Sequence, residues 1–263
     1  MDEFVTRLRR LPDDTLSALA FFSRLPVPQS SSAFDLEKSA AGWPVAGLVL
    51  AIGPAILFLI ARAAEFPPLV AAVLALALLT ALAGAIHEDG LADTFDGFGG
   101  GRTAAEKLAI MQDSRLGSYG ALALFFTLIV KLAALSAVGF RPGPAALALV
   151  CAAVVSRSLA LWHWRDTWPA RADGMAYAAG RPDFLALAVG LTVGAVAAVA
   201  LLIAFGVAAL IGLLMAAAAV GVFSAFATRQ IGGHTGDTVG AAQQIAEALL
   251  YAGLAAGGTS IIL

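Results

Sequence analysis

Seven stretches of this sequence, near 43–63, 67–86, 119–139, 144–164, 184–204, 207–227 and 240–262, are apolar for about 20 residues each, the length a helix needs to cross about 30 Å of hydrocarbon. Only helices or closed barrels satisfy their backbone in lipid, and runs this long are helical. With 13% charged residues and a mean hydropathy of +0.88, the chain lacks the polar surface of a soluble fold. The expectation is an all-α, polytopic membrane bundle, one domain over 1–263. It should have about seven transmembrane helices, an N-terminal interfacial helix and a helical loop outside the bilayer. The net charge of −2 argues against a nucleic-acid partner. The single cysteine, Cys151, forms no intramolecular disulfide and sits in an apolar run, so it is read as packing.

Four longer polar segments remain: 1–42, 87–118, 165–183 and 228–239. With seven spans they all fall on the N-terminal side. Twelve of the 16 Lys and Arg residues lie in these segments, and only Arg62 and Arg141 lie opposite. The positive-inside rule therefore places the N-terminus and the long loops in the cytoplasm, with Leu263 ending at the far face. Trp43, Trp162, Trp164 and Trp168 fall at the same expected interface, where indoles favour the headgroup layer. Arg7, Arg9 and Arg10, followed by the apolar patch 16–22 and no small-residue cleavage site, read as an interfacial helix and not a signal peptide. The abundant Gly and Ala in the spans permit close helix packing and form no repeat.

Six acidic residues fall between 88 and 113. With 86–98 taken as a helix continuing the second span, Asp89, Asp93 and Asp96 lie within about 60° of one another, on the face opposite Leu91, Phe95 and Phe98. Gly90 and Gly97 fall beside them, and His87 points away. Like charges at i,i+4 destabilise a helix, so a compensating cation is expected. Mg²⁺ fits, since it takes hard oxygen ligands and bridges carboxylates to phosphates; the alternative is a solvated helix end. The run GGGR at 99–102 reads as a break. Thr103 and Glu106 match a capping box, which starts a helix over 104–115 that Gly117 ends. Asp113 would then sit in the last turn, against the dipole, with a metal or Arg115 as its partner. Arg115 reads either as a dipole match or as a phosphate ligand. The segment Gly232-Gly233-His234-Thr235-Gly236-Asp237-Thr238 is a glycine-rich turn before a helix, a place where backbone N–H groups meet phosphate.

These residues resemble a known pattern. His87-x-Asp89-Gly90-Leu91-Ala92-Asp93-x-x-Asp96-Gly97, Met111-x-Asp113-Ser114-Arg115-x-Gly117-x-x-Gly120 and Gly232-Gly233-x-Thr235-Gly236-Asp237-x-x-Gly240-Ala241 are similar to motifs of the cobalamin synthases, the adenosylcobinamide-GDP ribazoletransferases. Phe22-Ser23-Arg24-Leu25-Pro26-Val27-Pro28 and Trp43-Pro44-Val45-Ala46-Gly47 resemble the family's N-terminal signature and first span, so the likeness covers about 16–245.

The resemblance implies a Mg²⁺-dependent enzyme of the bacterial inner membrane. It would join adenosylcobinamide-GDP to α-ribazole or its 5′-phosphate and release GMP. Asp89, Asp93, Asp96 and Asp113 would hold metal, and Asp237 would be a further ligand or the base. Asp96 would share in the catalytic step. Arg24, Ser114, Arg115, Arg157, Gly233, Thr235 and Gly236 would bind substrate. For Arg157 and Glu247, at similar depth inside their spans, a structural ion pair is the alternative. The resemblance leaves a homo-oligomer open and does not rely on His234. A CDP-alcohol-type phosphotransferase of lipid synthesis fits less well, because the alanine-arginine pair after Asp-Gly is missing. A transporter would carry acids near the bilayer midplane, and only Glu247 is embedded.

Overall fold

The computed structural model describes residues 2–27 and 36–256. Its elements are α1 (Asp2–Phe22), α2 (Leu36–Ser39), a 3₁₀ turn (Ala40–Gly42), α3 (Trp43–Ala63), α4 (Pro68–Ala83), α5 (Ile86–Gly100), α6 (Ala104–Ile110), α7 (Ser118–Val138), α8 (Pro142–Asp166), α9 (Gly174–Ala178), α10 (Phe184–Phe205), α11 (Val207–Ile231) and α12 (Gly236–Ala255). Among the described residues the only extended pairing is an isolated bridge between Pro169 and His234.

Each of the seven apolar stretches is largely helical over its described residues. Five segments, Ala40–Ala63, Ser118–Val138, Pro142–Asp166, Phe184–Phe205 and Val207–Ile231, are long and apolar enough to cross a membrane, which makes this a multi-pass membrane bundle. A sixth span arises only if α4 and α5 are joined, and these are bent by 87°. The expected seventh, over 240–262, corresponds to α12. It starts earlier, carries Asp237, Gln243, Gln244 and Glu247, and its expected last residues, with the chain end, lie outside the described residues.

Helix placement follows side-chain size. The apolar window of α8 is 78% buried, whereas that of α7 is only 22% buried and leaves its large side chains outward. Small residues bring the inner helices together. A Cβ at Gly47 would lie 2.6 Å from the Ala153 carbonyl oxygen, and one at Gly253 would lie 2.1 Å from Gly212 Cα. Without a hydrophobic drive between helices in lipid, such backbone approach supplies the packing. α12 is enclosed by α5, α7, α8 and α11.

α5 does not continue α4, contrary to the expected extension of the second span. Gly84 (φ 68°) ends α4 in the left-handed conformation, with Ala85 N–H donating to Thr80 O at 2.9 Å, and Ala85 itself has φ 56°. The left-handed φ at Gly84 disfavours any other residue, and the Arg24 side chain lies across it. The chain therefore turns, and α5 runs across the starts of α12 and α7. α5 also persists through Gly100, so the expected break is confined to 101–103. The Thr103–Glu106 capping box forms, with Glu106 N–H donating to Thr103 Oγ1 at 3.2 Å and Thr103 N–H to Glu106 Oε2 at 3.2 Å. α6 stops at Ile110, however, and Gly117 precedes α7 instead of ending α6. Asp113 is thus in a connecting turn, and the dipole conflict expected there does not arise.

The four polar segments gather at one end of the bundle. Phe22 stacks near His87, Lys107 hydrogen-bonds Gln230, and His234 N–H donates to Trp168 O at 2.7 Å. Two of the four tryptophans, Trp43 and Trp164, are buried in this end and not laid in an interface; Trp168 is exposed under the Arg181 guanidinium. Trp43 is held by the close approach of α1 to the 3₁₀ turn, which draws its indole inward.

Candidate functional site

The acids meet where α5 crosses the start of α12. Gly90 and Gly240 make the crossing close: a Cβ at Gly90 would lie 2.8 Å from the Asp237 carbonyl oxygen, and one at Gly240 would lie 3.2 Å from His87 Cα. The glycine beside the aspartates is therefore a contact surface that admits α12. Gly97, the other one, admits α6, since its Cβ would lie 2.8 Å from Lys107 O. This crossing brings Asp237 to Asp89 and Asp93 across about 150 residues of chain. Asp89 is exposed, and Asp93 and Asp237 are half-buried. Burial, then Asp89, Asp237 and Asp96, push the Asp93 carboxyl up to about 7. Burial also raises Asp237, against the opposing effects of the Thr235 hydroxyl and the Arg171 charge.

The glycine-rich turn is fixed from below. Gly232 closes α11 at φ 83°, and Gly233 packs so tightly on Trp168 that no side chain fits there. Thr235 caps α12: its Oγ1 accepts from Thr238 N–H at 3.3 Å and donates to Asp237 Oδ2 at 3.0 Å. His163, from α8, bonds Ser224 (2.8 Å) and Thr238 (3.2 Å). Thr167 Oγ1 donates to His163 O at 2.7 Å and lies 3.0 Å from His234 Nδ1. Asp237 thus stands on a hydrogen-bonded platform built from α8, α11 and α12. Gly236 is exposed at the start of α12.

Beside Asp89 and Asp237 opens a cavity of about 270 Å³. Its wall is aromatic: Phe22, Trp43 and His87 lie within 21° of parallel, with ring centroids 4.8 to 5.9 Å apart. Trp164 meets Trp43 edge-on at 6.4 Å, and Arg171 lies at the rim. Sequence reasoning did not single out Phe22, Trp43, Trp164 or Arg171 for the site. Phe22 and Trp43 did fall in the two N-terminal motifs, which were the available signal; Arg171 had none beyond its place in a cationic loop.

The other expected site residues lie elsewhere. Asp96 is buried and caps α7: its oxygens accept from Gly117 N–H (2.7 Å) and Gly120 N–H (2.8 Å). Asp113 pairs with Arg115, whose Nε lies 3.0 Å from both carboxylate oxygens; this hydrogen bonding holds the carboxyl below its usual range. The charges that act on Asp93 do not include Asp113. Ser114 and Arg115 are exposed beside it. Arg24 is exposed and lies over Gly84. Arg157 is buried in the bundle, where Nη1 donates to Ala153 O at 3.0 Å. It lines a second cavity, of about 250 Å³, with Lys131 and Glu247. Glu247 pairs with Lys131 and not, as the similar depth implied, with Arg157. Glu88 is half-buried and accepts from Thr80 Oγ1 at 3.0 Å.

The donor chemistry at Asp89, Asp93 and Asp237 fits a hard divalent cation. Asp89 and Asp93 have no hydrogen-bond or ion-pair partner among the described residues. Like charge on converging carboxylates favours neutralisation by metal. Among the described residues no three acids already close around one point. Mg²⁺ commonly takes only one or two carboxylates, completing its shell with water and substrate phosphate.

The family model described as "Cobalamin-5-phosphate synthase" matches residues 14–255. A Rhizobium johnstonii protein named adenosylcobinamide-GDP ribazoletransferase is 43% identical over 249 residues, covering 92% of this chain and 96% of its own length. Proteins of the same name from Sinorhizobium medicae (39% identical; 95% and 99% covered) and Brucella ovis (40% identical; 92% and 95% covered) match similarly. No solved structure matches the chain.

Proposed function

The chain belongs to the cobalamin-5-phosphate synthase family, and on that premise we propose that it is an adenosylcobinamide-GDP ribazoletransferase acting at the crossing of α5 and α12. A ribose hydroxyl of α-ribazole, or of its 5′-phosphate, attacks the cobinamide-bound phosphorus. The new P–O bond forms as the bond to GMP breaks, giving adenosylcobalamin or its 5′-phosphate. The convergence of Asp89, Asp93 and Asp237 carries this reading.

Each residue has a task in it. Asp89 and Asp93 hold Mg²⁺, which when bound would draw charge from the phosphate oxygens. Asp237, with a raised proton affinity and an orienting Thr235, takes the hydroxyl proton. The exposed backbone at Gly236 and the Arg171 guanidinium face phosphate oxygens. Asp96 acts indirectly, by holding α7 against α5. Asp113 and Arg115, on the same end of the bundle, form an exposed pair at the rim. In the proposed orientation this end faces the cytoplasm of a bacterial inner membrane, where the nucleotide substrate is found. Cysteines at Ser118 and at the exposed Phe140, in a chain lacking Cys151, test that: only the latter should react with an impermeant reagent outside intact cells.

The deciding assay is GMP release by purified protein given adenosylcobinamide-GDP and α-ribazole, with and without Mg²⁺. Release that needs both substrates and the ion is expected. No release under any condition would overturn the activity, and undiminished release in a chelator would overturn the metal.

A further inference from the structure

We infer that the aromatic cavity beside Asp89 and Asp237 is the docking site of the acceptor nucleoside, with its two-ring base against Phe22 and its ribose toward the acids. This rests on the proposed transferase activity and deepens it.

The cavity is built for a flat apolar group with a polar end. Its lining combines the near-parallel rings with the methyl-bearing residues Ala176, Ala179 and Val239, and its volume suits a two-ring base. Aromatic faces hold such rings by stacking. At about 270 Å³ the slot is far too small for a corrin macrocycle. The guanine of the second substrate would fit by size, but it carries donors and acceptors along its edge. Arg171 and Asp173 also line the cavity and are able to pair with that edge, so guanine is the competing occupant that the test below separates. The ribazole base has a methyl-bearing edge and needs no such pairing.

The polar end is equally specific. His234 is 1% exposed, and its Nε2 has no partner in the protein. Because the Thr167 hydroxyl is committed to His163 O, it accepts from His234 Nδ1–H. That tautomer leaves Nε2 as a buried acceptor without a partner in the protein, on a residue that borders the cavity. A ribose hydroxyl is the complementary donor. Asp237, three residues on, lines the same cavity, so a nucleoside seated with its base on the rings presents its sugar to the group proposed to take the proton.

Two variants test the assignment in the full-length protein. Phe22→Leu removes one stacking face at a half-buried position, and Ala176→Phe fills the slot. GMP release is measured while each substrate is varied in turn. In both variants the KM for α-ribazole should rise about tenfold, the loss expected for a stacked ring, while the KM for adenosylcobinamide-GDP stays within about twofold. Agreement of the two variants guards against one of them misfolding. A rise confined to adenosylcobinamide-GDP would make the slot a guanine site and overturn the inference, as would equal rises or none. A wild-type protein that releases no GMP would overturn the transferase activity and the docking site with it. A working wild type with unmoved nucleoside KM overturns the docking site alone.

Discussion

Two acidic sites on the same helix, α12, ten residues apart, follow opposite rules. Inside the spans, Glu247 is buried with Lys131, and Gln244 Oε1 completes the ammonium's shell at 2.6 Å. At the α5–α12 crossing, Asp89 and Asp93 stand near Asp237 with no cationic partner among the described residues. The Lys131–Glu247 pair is neutral as a unit, which lowers the cost of its burial, while Arg157 beside it rests on the Ala153 carbonyl. The outer group keeps an excess of negative charge, which folding alone would not favour. Paired charge holds helices together, whereas unpaired charge is what a cation or a phosphate-bearing substrate can use.

The contrast breaks most sharply at Asp93. Asp93→Asn should lower the rate of GMP release by about 10³-fold or more, the scale of losing a metal ligand, and leave the melting temperature equal or higher because repulsion falls. Unchanged turnover at saturating Mg²⁺ would put Asp93 outside the site. Asp237→Ala should lose about 10²- to 10⁴-fold, as for a general base, with little change in expression.

At the inner pair the signs reverse. Lys131→Met leaves Glu247 buried without its cation and should cost about 3 kcal/mol of stability, read from thermal unfolding in detergent. The double change Lys131→Met, Glu247→Leu should recover most of that loss. A double variant as unstable as the single one would show that the pair is not a self-contained unit.

Acidity sharpens the comparison further. A carboxyl raised to about 7 keeps its proton in the folded chain after the unfolded chain has lost it. Its contribution to stability is therefore full below the ordinary carboxylate range and disappears as pH rises through 7. Mg²⁺ must displace the same proton, so its apparent affinity should increase about tenfold per pH unit up to 7 and then level off. A flat profile between pH 6 and 8 would mean that Asp93 is not the ligand.

The smallest effects are expected where acids are already satisfied. Asp96→Asn keeps one acceptor for the α7 cap and should cost about 1 kcal/mol, with a far smaller loss of rate than Asp93→Asn. Equal losses would make Asp96 a direct ligand. Asp113→Asn, in an exposed pair with Arg115, should leave the melting temperature unchanged.

Much of this was legible from local pattern. The helical spacing of Asp89, Asp93 and Asp96 and the capping box at Thr103 depend on neighbours three and four residues away, and both formed. The four polar segments gather at one end, as their alternation with the apolar stretches suggested. What failed to read were the places where a distant chain segment intervenes. Asp96 looked like Asp93 on a helical wheel, yet the start of α7 lies against one and not the other. Arg157 and Glu247 matched in depth, but Lys131 reached Glu247 first. Trp43 and Trp164 had the position of interfacial indoles and instead line a cavity, because α1 folds over them.

By itself, then, the sequence determined a helical membrane bundle, through runs too apolar and too long for water, and a carboxylate face, through the period of the helix. Only the tertiary structure decided which carboxylates remain free. That choice depends on the turn at Gly84–Ala85, which swings α5 across the bundle, and on Gly90 and Gly240, which let Asp237 approach. Charge compensation is a property of three-dimensional neighbours, and no periodicity along one chain segment encodes it.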